Sequence, residues 1–391
     1  MTTVLSVLHG NTFGGPHNRN ARVAPYLRAH HGVRTIALVP DEPGQASKRL
    51  QEHGVEVVKI EIPRLRASYN LKYHVHFLAG FERVVRRIRG LIHTKNVDVV
   101  QINGLSNPHA AEAARRAKVP VVWQLLDTFT PMWFRRLMMP YVIRRAPVIM
   151  ATGNAVGMAH PGCSKLAEER RILFYPPVDL KHFRPHQAAR SEARRVLAVP
   201  NHAPVIGNVS NLNPQKGHRL FLRAAAQLKR DLPNARFVIL GQSYPAHRKY
   251  EQSLYALAEE LGLELGADLL ITAPGADVAK LATAFDVFWM TSEPYSEGVP
   301  TVILEALALG LPVVSTNVGA IAEVIQQGET GFVVESQDAF EIARLTRRIL
   351  KNRQLREQMG TNARTYAEQH VGLGKCARQH LLAYNRALSL F

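Results

Sequence analysis

The 391-residue chain has only two cysteines, Cys163 and Cys376. They are too few and too distant for a disulfide framework, and a reducing cytoplasm is the expected compartment. No apolar run reaches the ~18 residues that a membrane-spanning helix needs. The amino terminus, MTTVLSVLHG, has no basic start and no long apolar region, so it reads as a strand and not as a secretory leader. The 17 histidines form no His-Glu-x-x-His and the cysteines no Cys-x-x-Cys, so no zinc site is expected. A GxxxxGK[ST] loop is missing, which argues against a P-loop ATPase, and a G-x-S-x-G elbow is missing, which argues against that class of hydrolase. Short-period repeats, low-complexity tracts and long linkers are also lacking.

Acidic residues are scarce in one half only. The chain carries 49 Lys and Arg against 31 Asp and Glu, for a net charge of +18. Residues 1–200 hold 30 basic and 13 acidic residues, whereas residues 201–391 hold 19 and 18. Nearly all the excess therefore lies in the first half. Such asymmetry favours an anionic partner there, acidic lipid or nucleic acid, over an ordinary solvated basic surface. The basic half has no recognition helix and no aromatic RNA-binding signature, so nucleic acid is set aside.

What is present is a globular composition, 46% hydrophobic and 20% charged, in a chain long enough for two or three domains. Short β-branched runs alternate with helical stretches. VLSVLHG, VRTIALVP, VEVVKIEIP, VDVVQING, VPVVWQLL and APVIMATG form one series. PVIGNVS, ARFVILG, ADLLITAP, FDVFWMTS, LPVVSTN and TGFVVES form a second. Runs apolar on both faces, bounded by Gly, Pro or Asn, predict buried parallel strands. The fold class is α/β, with two Rossmann-like βαβ domains. The expected division is 1–185 for the first domain, 186–370 for the second and 371–391 for a last helix, with Leu381, Leu382, Tyr384 and Leu388 on its apolar side.

The most informative stretch runs from Glu293 to Gly331. Glu297 and Glu305 bracket the start of an apolar helix and would stand about 12 Å apart along a continuous helix. That span suits a ligand held by hydroxyls at both ends with an anion between. Gly298 and Val299 would present backbone N–H groups at the helix start, where anions bind. Pro300 would fit a first helical position. Lys216 and Gly217 follow a strand and open a helix, Leu220 to Arg230, which places a cation beside a helix N-terminus. Gly14 and Gly15 follow the first strand and allow close backbone approach to a ligand.

Glu297 and Glu305, with seven residues between them, resemble the paired-glutamate motif of the retaining glycosyltransferases of GT-B fold, family 4 or "group 1". GLPVVSTNVGAIAEVI and GETGFVV continue the likeness. NLNPQKGHRLFLRAAAQL, Asn211 to Leu228, resembles the family's lysine-glycine segment, and PPVDLKHFRP the stretch before its second domain. The resemblance implies two domains facing across a cleft, with the last helix crossing back onto the first. It implies transfer of a sugar from a nucleoside diphosphate to a hydroxyl acceptor with retention. UDP-sugar is the expected donor and GDP-mannose the next. In these terms Glu297 orients the sugar and Glu305 anchors the ribose. Lys216, with Gly217, Gly298 and Val299, meets the diphosphate, and Gly14 and Gly15 face it from the first domain. Asp277 and Val278 lie where the base is recognised, and Glu293 and Tyr295 near the sugar. Glu323, in a following helix, reads as structural.

Two positions depart from the family pattern. Asn211 stands where an arginine is usual. Leu126 replaces the histidine of a His-Asp pair, which leaves Asp127, otherwise a helix cap. These losses keep a non-catalytic sugar-nucleotide-binding subunit open as an alternative, beside a GT-B sugar-nucleotide epimerase. No Asp-x-Asp pair is present to hold a divalent ion on the diphosphate, so the expected strategy is metal-free and without a cofactor. Two basic stretches, Leu78 to His93 and Trp133 to Pro147, mix arginines with apolar residues such as Phe81, Val84, Val85, Ile88, Trp133, Phe134, Met138 and Met139. They suggest peripheral contact with an anionic membrane and a lipid-linked acceptor in cell-envelope glycan synthesis.

Overall fold

A computed structural model describes residues 1–65, 67, 70–275, 277–294, 297–335 and 337–391, with Leu71 described by its backbone. The chain divides into two units, Met1–Pro177 with Leu373–Phe391, and Val178–Gly372. The division falls at Pro177, ahead of residue 185, and helix α14 (Leu373–Ser389) belongs to the first unit.

Unit 1 is built from β1 (Thr2–Val7), α1 (Gly15–His31), β2 (Val33–Pro40), α2 (Ala46–Glu52), β3 (Glu56–Ile60), α3 (Leu71–Thr94), β4 (Val99–Asn103), α4 (Pro108–Ala117), β5 (Val121–Leu125), α5 (Met132–Arg145), β6 (Val148–Ala151), α6 (Asn154–Met158) and β7 (Arg171–Leu173). All strands pair in parallel, in the order β3-β2-β1-β4-β5-β6-β7. The apolar runs become central strands because helices cover both faces of the sheet. Val4, Val99, Val122, Val148 and Met150 pack with α1 and α14 in one core cluster.

Unit 2 follows the same logic with α7 (Gln187–Val196), β8 (Val205–Val209), α8 (His218–Asp231), β9 (Arg236–Leu240), α9 (Arg248–Glu260), β10 (Leu269–Thr272), α10 (Val278–Ala282), β11 (Val287–Met290), α11 (Thr301–Ala308), β12 (Val313–Thr316), β13 (Gly331–Val334), α12 (Ala339–Lys351) and α13 (Arg353–His370). Its parallel sheet runs β10-β9-β8-β11-β12-β13. Phe221, Phe237 and Trp289 centre its core, and the Trp289 indole N–H donates to Thr346 Oγ1 at 2.7 Å. In each sheet the strand order reverses direction once, between β1 and β4 and between β8 and β11. Such switch points are where doubly wound sheets bind ligands.

Three expectations are corrected by the packing. The buried face of α14 consists of Cys376, Ala377, His380, Ala383, Tyr384 and Ala387, while Leu382 and Leu388 are exposed. Alanine and cysteine let the helix lie close to the sheet, with His380 and Tyr384 inserted between them, and Leu382 and Leu388 are left outside. On α3, Val84, Val85 and Ile88 are buried core residues, as are Phe134, Met138 and Met139 on α5. Trp133 is exposed as expected, as are Leu78 and Leu137 in the same stretches, and Tyr73, Val75, Phe129 and Met132 lie exposed just ahead of them. Glu323 ends a short 3₁₀ turn, Ile321–Glu323, and not a helix.

Both cysteines are buried free thiols. Among the described residues five histidines are buried, His17, His109, His160, His218 and His380, and burial lowers the pKa of each. Burial holds His17, His109 and His218 near pKa 4 and His380 near 3. A histidine with a depressed folded pKa binds its proton more readily in the unfolded chain. Stability is therefore complete above about pH 6.5 and is lost as pH falls towards the folded values. Urea melts at pH 7 and pH 5 are expected to differ by several kcal/mol, about 2 kcal/mol for each such histidine. Equal midpoints at the two pH values would show that these imidazoles are not buried.

Candidate functional site

The loops leaving β8 and β11 bring the two strongest sequence candidates together. Lys216 closes a 3₁₀ turn, Pro214–Lys216, and Gly217 caps α8 with φ +63°. A Cβ on Gly217 would stand 1.7 Å from the carbonyl oxygen of Thr291, so only glycine lets this loop pass against the end of β11. Thr291 Oγ1 donates to the Lys216 carbonyl at 3.3 Å, and Glu293 N–H to Gln215 O at 2.9 Å. With the loops locked, Lys216 Nζ donates to Glu297 Oε1 at 2.6 Å. Ser292 Oγ donates to the same oxygen at 2.9 Å.

Glu297 is thus held from two directions in a nearly closed setting, its side chain 10% exposed against 25% for Lys216. Gly319 lies beneath it with φ +62°, and a Cβ there would meet Glu297 O at 2.4 Å. Ser292 is fixed in turn, its carbonyl accepting from Thr316 Oγ1 at 2.8 Å and Gln337 Nε2 at 3.2 Å. The arrangement is a preorganised cation and carboxylate at the switch point of unit 2, each oriented by packed neighbours.

A buried polar chain supports α8 beneath the lysine. Ser210 Oγ donates to Asn208 Oδ1 at 2.5 Å and accepts from His218 Nε2 at 2.9 Å. His218 Nδ1 then accepts from Tyr250 Oη at 3.4 Å. This pattern requires a neutral imidazole. Burial first, and Lys216 second, depress its pKa to about 4. Sequence reasoning passed over His218, Ser292 and Gly319. The signal available for His218 was its place directly after Lys-Gly on the buried side of an amphipathic helix.

Other candidates lie as follows. Glu305 sits within α11, where it lines a small hollow with Val278, Val302 and Phe183. Asp277 caps α10, accepting from Lys280 N–H at 3.0 Å, with His182 Nε2 at 3.4 Å. Helix α11 starts at Thr301 with Pro300 as its N-cap. Gly298 and Val299 therefore precede the helix, and Pro300 is not its first helical residue. Gly298 O accepts from Ala320 N–H at 2.9 Å, which shapes the turn around Gly319. Asn211 is exposed beside the lysine turn, its carbonyl accepting from Asn213 N–H at 2.9 Å. Tyr295 lies outside the described residues.

In unit 1, Gly14 is the N-cap of α1. Neither Gly14 nor Gly15 has a neighbour within 4 Å of a built Cβ, so the turn is open at that point. His17 braces it, taking a hydrogen bond from Gly14 N–H at 3.3 Å and meeting Gly10 O through Nε2 at 2.8 Å. Asp127 follows β5 and accepts from Phe129 N–H at 3.0 Å. It caps that turn and not α5, whose N-cap is Pro131. Among the described residues no group of three or more His, Cys, Asp or Glu is placed to hold a metal ion, and no helix is long and apolar enough to cross a membrane.

Two family models match this chain. Residues 189–366 match the family model described as glycosyl transferases group 1, and residues 14–158 a glycosyl transferase 4-like domain. A D-inositol 3-phosphate glycosyltransferase of Corynebacterium urealyticum is 31% identical over 241 residues, covering 61% of this chain and 55% of that protein. The chain spans about half the length of the curated relatives it matches. A glycosyltransferase from Rickettsia africae superposes with a TM-score of 0.83 at 21% identity, over 99% of this chain and 98% of the other. Anabaena Alr3699/HepE in complex with UDP gives 0.81 at 22% identity, over 97% and 98%. These likenesses place both units in the GT-B fold class.

Proposed function

The chain belongs to the group 1 glycosyltransferases, and from that membership we propose that it moves a sugar from a nucleoside diphosphate to a hydroxyl acceptor with retention. The observation that carries the proposal is the Lys216–Glu297 pair, held at 2.6 Å at the switch point of unit 2. Breaking the anomeric bond builds negative charge on the departing diphosphate. A fixed ammonium beside a helix N-terminus stabilises such charge as it forms, with no metal required. Glu297 orients the sugar and Glu305 holds the ribose, with Val278 beside the base. Attack comes from the face the diphosphate leaves, and a phosphate oxygen takes the acceptor's proton. UDP is the favoured nucleotide, since HepE from Anabaena is described with UDP.

A thermal-shift screen against UDP-, GDP-, ADP- and TDP-sugars, with and without EDTA, tests the donor. A donor at 100 times its dissociation constant stabilises by about 2.7 kcal/mol. The expected result is a UDP-sugar response that EDTA leaves unchanged. Silence towards all four would overturn the reading. Slow hydrolysis of the bound donor separates an enzyme from a binding subunit, the alternative motivated by Leu126 and Asn211.

For the acceptor, we propose a lipid-linked hydroxyl reached at an anionic membrane surface. The support is the run Phe129, Met132, Trp133 and Leu137, all exposed, with exposed Arg136 and Arg144 alongside. Apolar side chains rimmed by arginine suit the headgroup boundary. Flotation with liposomes of anionic lipid is expected at low salt and not with neutral lipid, and Trp133→Ser with Leu137→Ser should abolish it. Sedimentation with the free protein in every case would remove the membrane from the account.

A further inference from the structure

In unit 2 one carboxylate is outnumbered by arginines. Asp286 Oδ1 accepts from Arg190 Nη2 at 2.7 Å and lies 3.7 Å from Arg356 Nη1, so two guanidinium groups converge on one oxygen. Asp286 Oδ2 accepts from Arg194 Nη2 at 2.8 Å and from Val205 N–H at 2.9 Å. Among the described residues no second carboxylate pairs with these three arginines, which leaves two positive charges in excess. Arg194 is buried and gives Nη1 to the carbonyls of Pro200, Asn201 and Ala203. Burial first, and then the charge of Arg190, lowers its pKa, with Arg356 adding to the effect. Arg190 gives Nη1 to the carbonyls of Thr283 and Phe285. Arg356 is the exception. Its side chain is 31% exposed, and among the described residues its guanidinium donates to nothing.

Arg190 and Arg356 stand on the wall of an open cavity of about 920 Å³, bounded by α7, α13 and the segment that leaves α11. That volume is in the range of small-molecule sites, roughly 300–1,000 Å³. The other two arginines on the wall are paired, Arg353 with Glu357 and Arg364 with Glu368, each at 2.7 Å. His186, at the start of α7, takes a hydrogen bond on Nδ1 from Ala189 N–H at 3.1 Å, so the neutral ring carries its proton on Nε2 and can donate it. Leu309, Leu311 and Pro312 line the same space with apolar surface. Asp286 precedes β11, and Thr291, against which the Lys216 loop packs, follows it. The cavity is therefore at the opposite edge of the sheet from Lys216 and Glu297.

We propose that this cavity binds a small phosphate monoester, whose phosphate docks on Arg356 and Arg190 and whose organic body lies along Leu309, Leu311 and Pro312. A phosphate monoester is close to a dianion above neutral pH and cancels the local excess of charge. A phosphate diester, as in a nucleic-acid backbone or most phospholipids, carries a single charge and cancels half of it. The planar fork of Arg356 matches two phosphate oxygens, and none of its donors has to be withdrawn from a protein partner first. Bound there, the ligand ties α7, the first helix of unit 2, to α13, the last. The site is separate from the Lys216–Glu297 pair and does not depend on the role given to that pair.

The test is thermal unfolding of the intact protein at pH 8 and constant ionic strength in sodium chloride, with inorganic phosphate, phenyl phosphate or dimethyl phosphate substituted stepwise. Inorganic phosphate and phenyl phosphate should raise the midpoint by roughly 5 °C and saturate as the site fills. Phenyl phosphate should reach half-saturation at a concentration at least fivefold lower, because its ring covers the apolar wall. Dimethyl phosphate, a diester, should have no saturable effect. Arg356→Gln should abolish the response, whereas Lys216→Ala should keep it, which separates this cavity from the donor site. A drift that never saturates, an equal response in Arg356→Gln, a loss in Lys216→Ala, or equal affinity for all three probes would overturn the proposal. If Arg356→Gln does not fold, crystals of the unaltered protein soaked in tungstate decide the matter. Anomalous density is expected beside Arg356, and density at Lys216 alone, or none, would remove the site.

Discussion

Lys216→Ala is expected to lower kcat by on the order of 10²- to 10³-fold, roughly 2.7–4 kcal/mol, the usual scale for removing one preorganised stabiliser of a developing anion. The effect follows from where the ammonium stands. Lys216 ends a turn locked by Gly217 and the Thr291 hydroxyl. Its ammonium therefore does not have to be ordered during the reaction. One of its three donors goes to Glu297 at 2.6 Å, which aims the group. The loss should fall on kcat more than on KM, because charge on the diphosphate grows as the bond breaks. Lys216→Arg should recover only part of it, since a longer planar fork does not place its charge at the same point. Steady-state kinetics with the donor found by the thermal screen decide this. A kcat within a factor of a few of the unaltered enzyme would exclude Lys216 from the site.

Among single substitutions the largest expected effect on stability belongs to Asp286→Ala, a loss of about 3–5 kcal/mol. Asp286 precedes β11 and its side chain is 10% exposed. It accepts from Arg190 at 2.7 Å, Arg194 at 2.8 Å and Val205 N–H at 2.9 Å, and Arg356 lies 3.7 Å away. One carboxylate thus balances three arginines and joins α7, β8, β11 and α13. The side chain of Arg194 is 4% exposed, so removing Asp286 strands a buried cation. Urea unfolding should show a lower midpoint with an unchanged slope. A change below about 1 kcal/mol would mean that water reaches the arginines and takes over the role.

Each of the twelve apolar runs named from sequence falls on a strand. The reason is local, because a parallel strand covered on both faces must be apolar throughout, and that pattern survives any tertiary context. Strand β7 escaped because it has three residues, Arg171–Leu173, two of them exposed at a sheet edge. The pairing of Lys216 with Glu297 was legible only as two motifs matching one family. The residues are 81 positions apart, and nothing in either segment specifies the other. The supports were hidden for a different cause. Ser292 and Thr316 are ordinary strand-end residues until the loops close over them. Gly319 looks like any turn glycine until the backbone of Glu297 is seen against it. On α14 Tyr384 and Leu381 lie on the packed side as expected, whereas Leu382 and Leu388 do not. Tyr384 and His380 occupy that side because their polar groups find partners on the strands, Gln101 and Gln124.

The path of the backbone carries a consequence for biosynthesis. Unit 1 is interrupted by the 195 residues Val178–Gly372. Its last helix, which covers Val4, Val99 and Val148, leaves the ribosome only after all of them. At typical elongation rates of about 5–20 residues per second, the first sheet waits roughly 10–40 s with one flank bare. Unit 2, continuous in the chain, has no such delay. The nascent protein is therefore most exposed to chaperones and proteases at its older half, and a stop codon near residue 372 would damage the part of the molecule translated first.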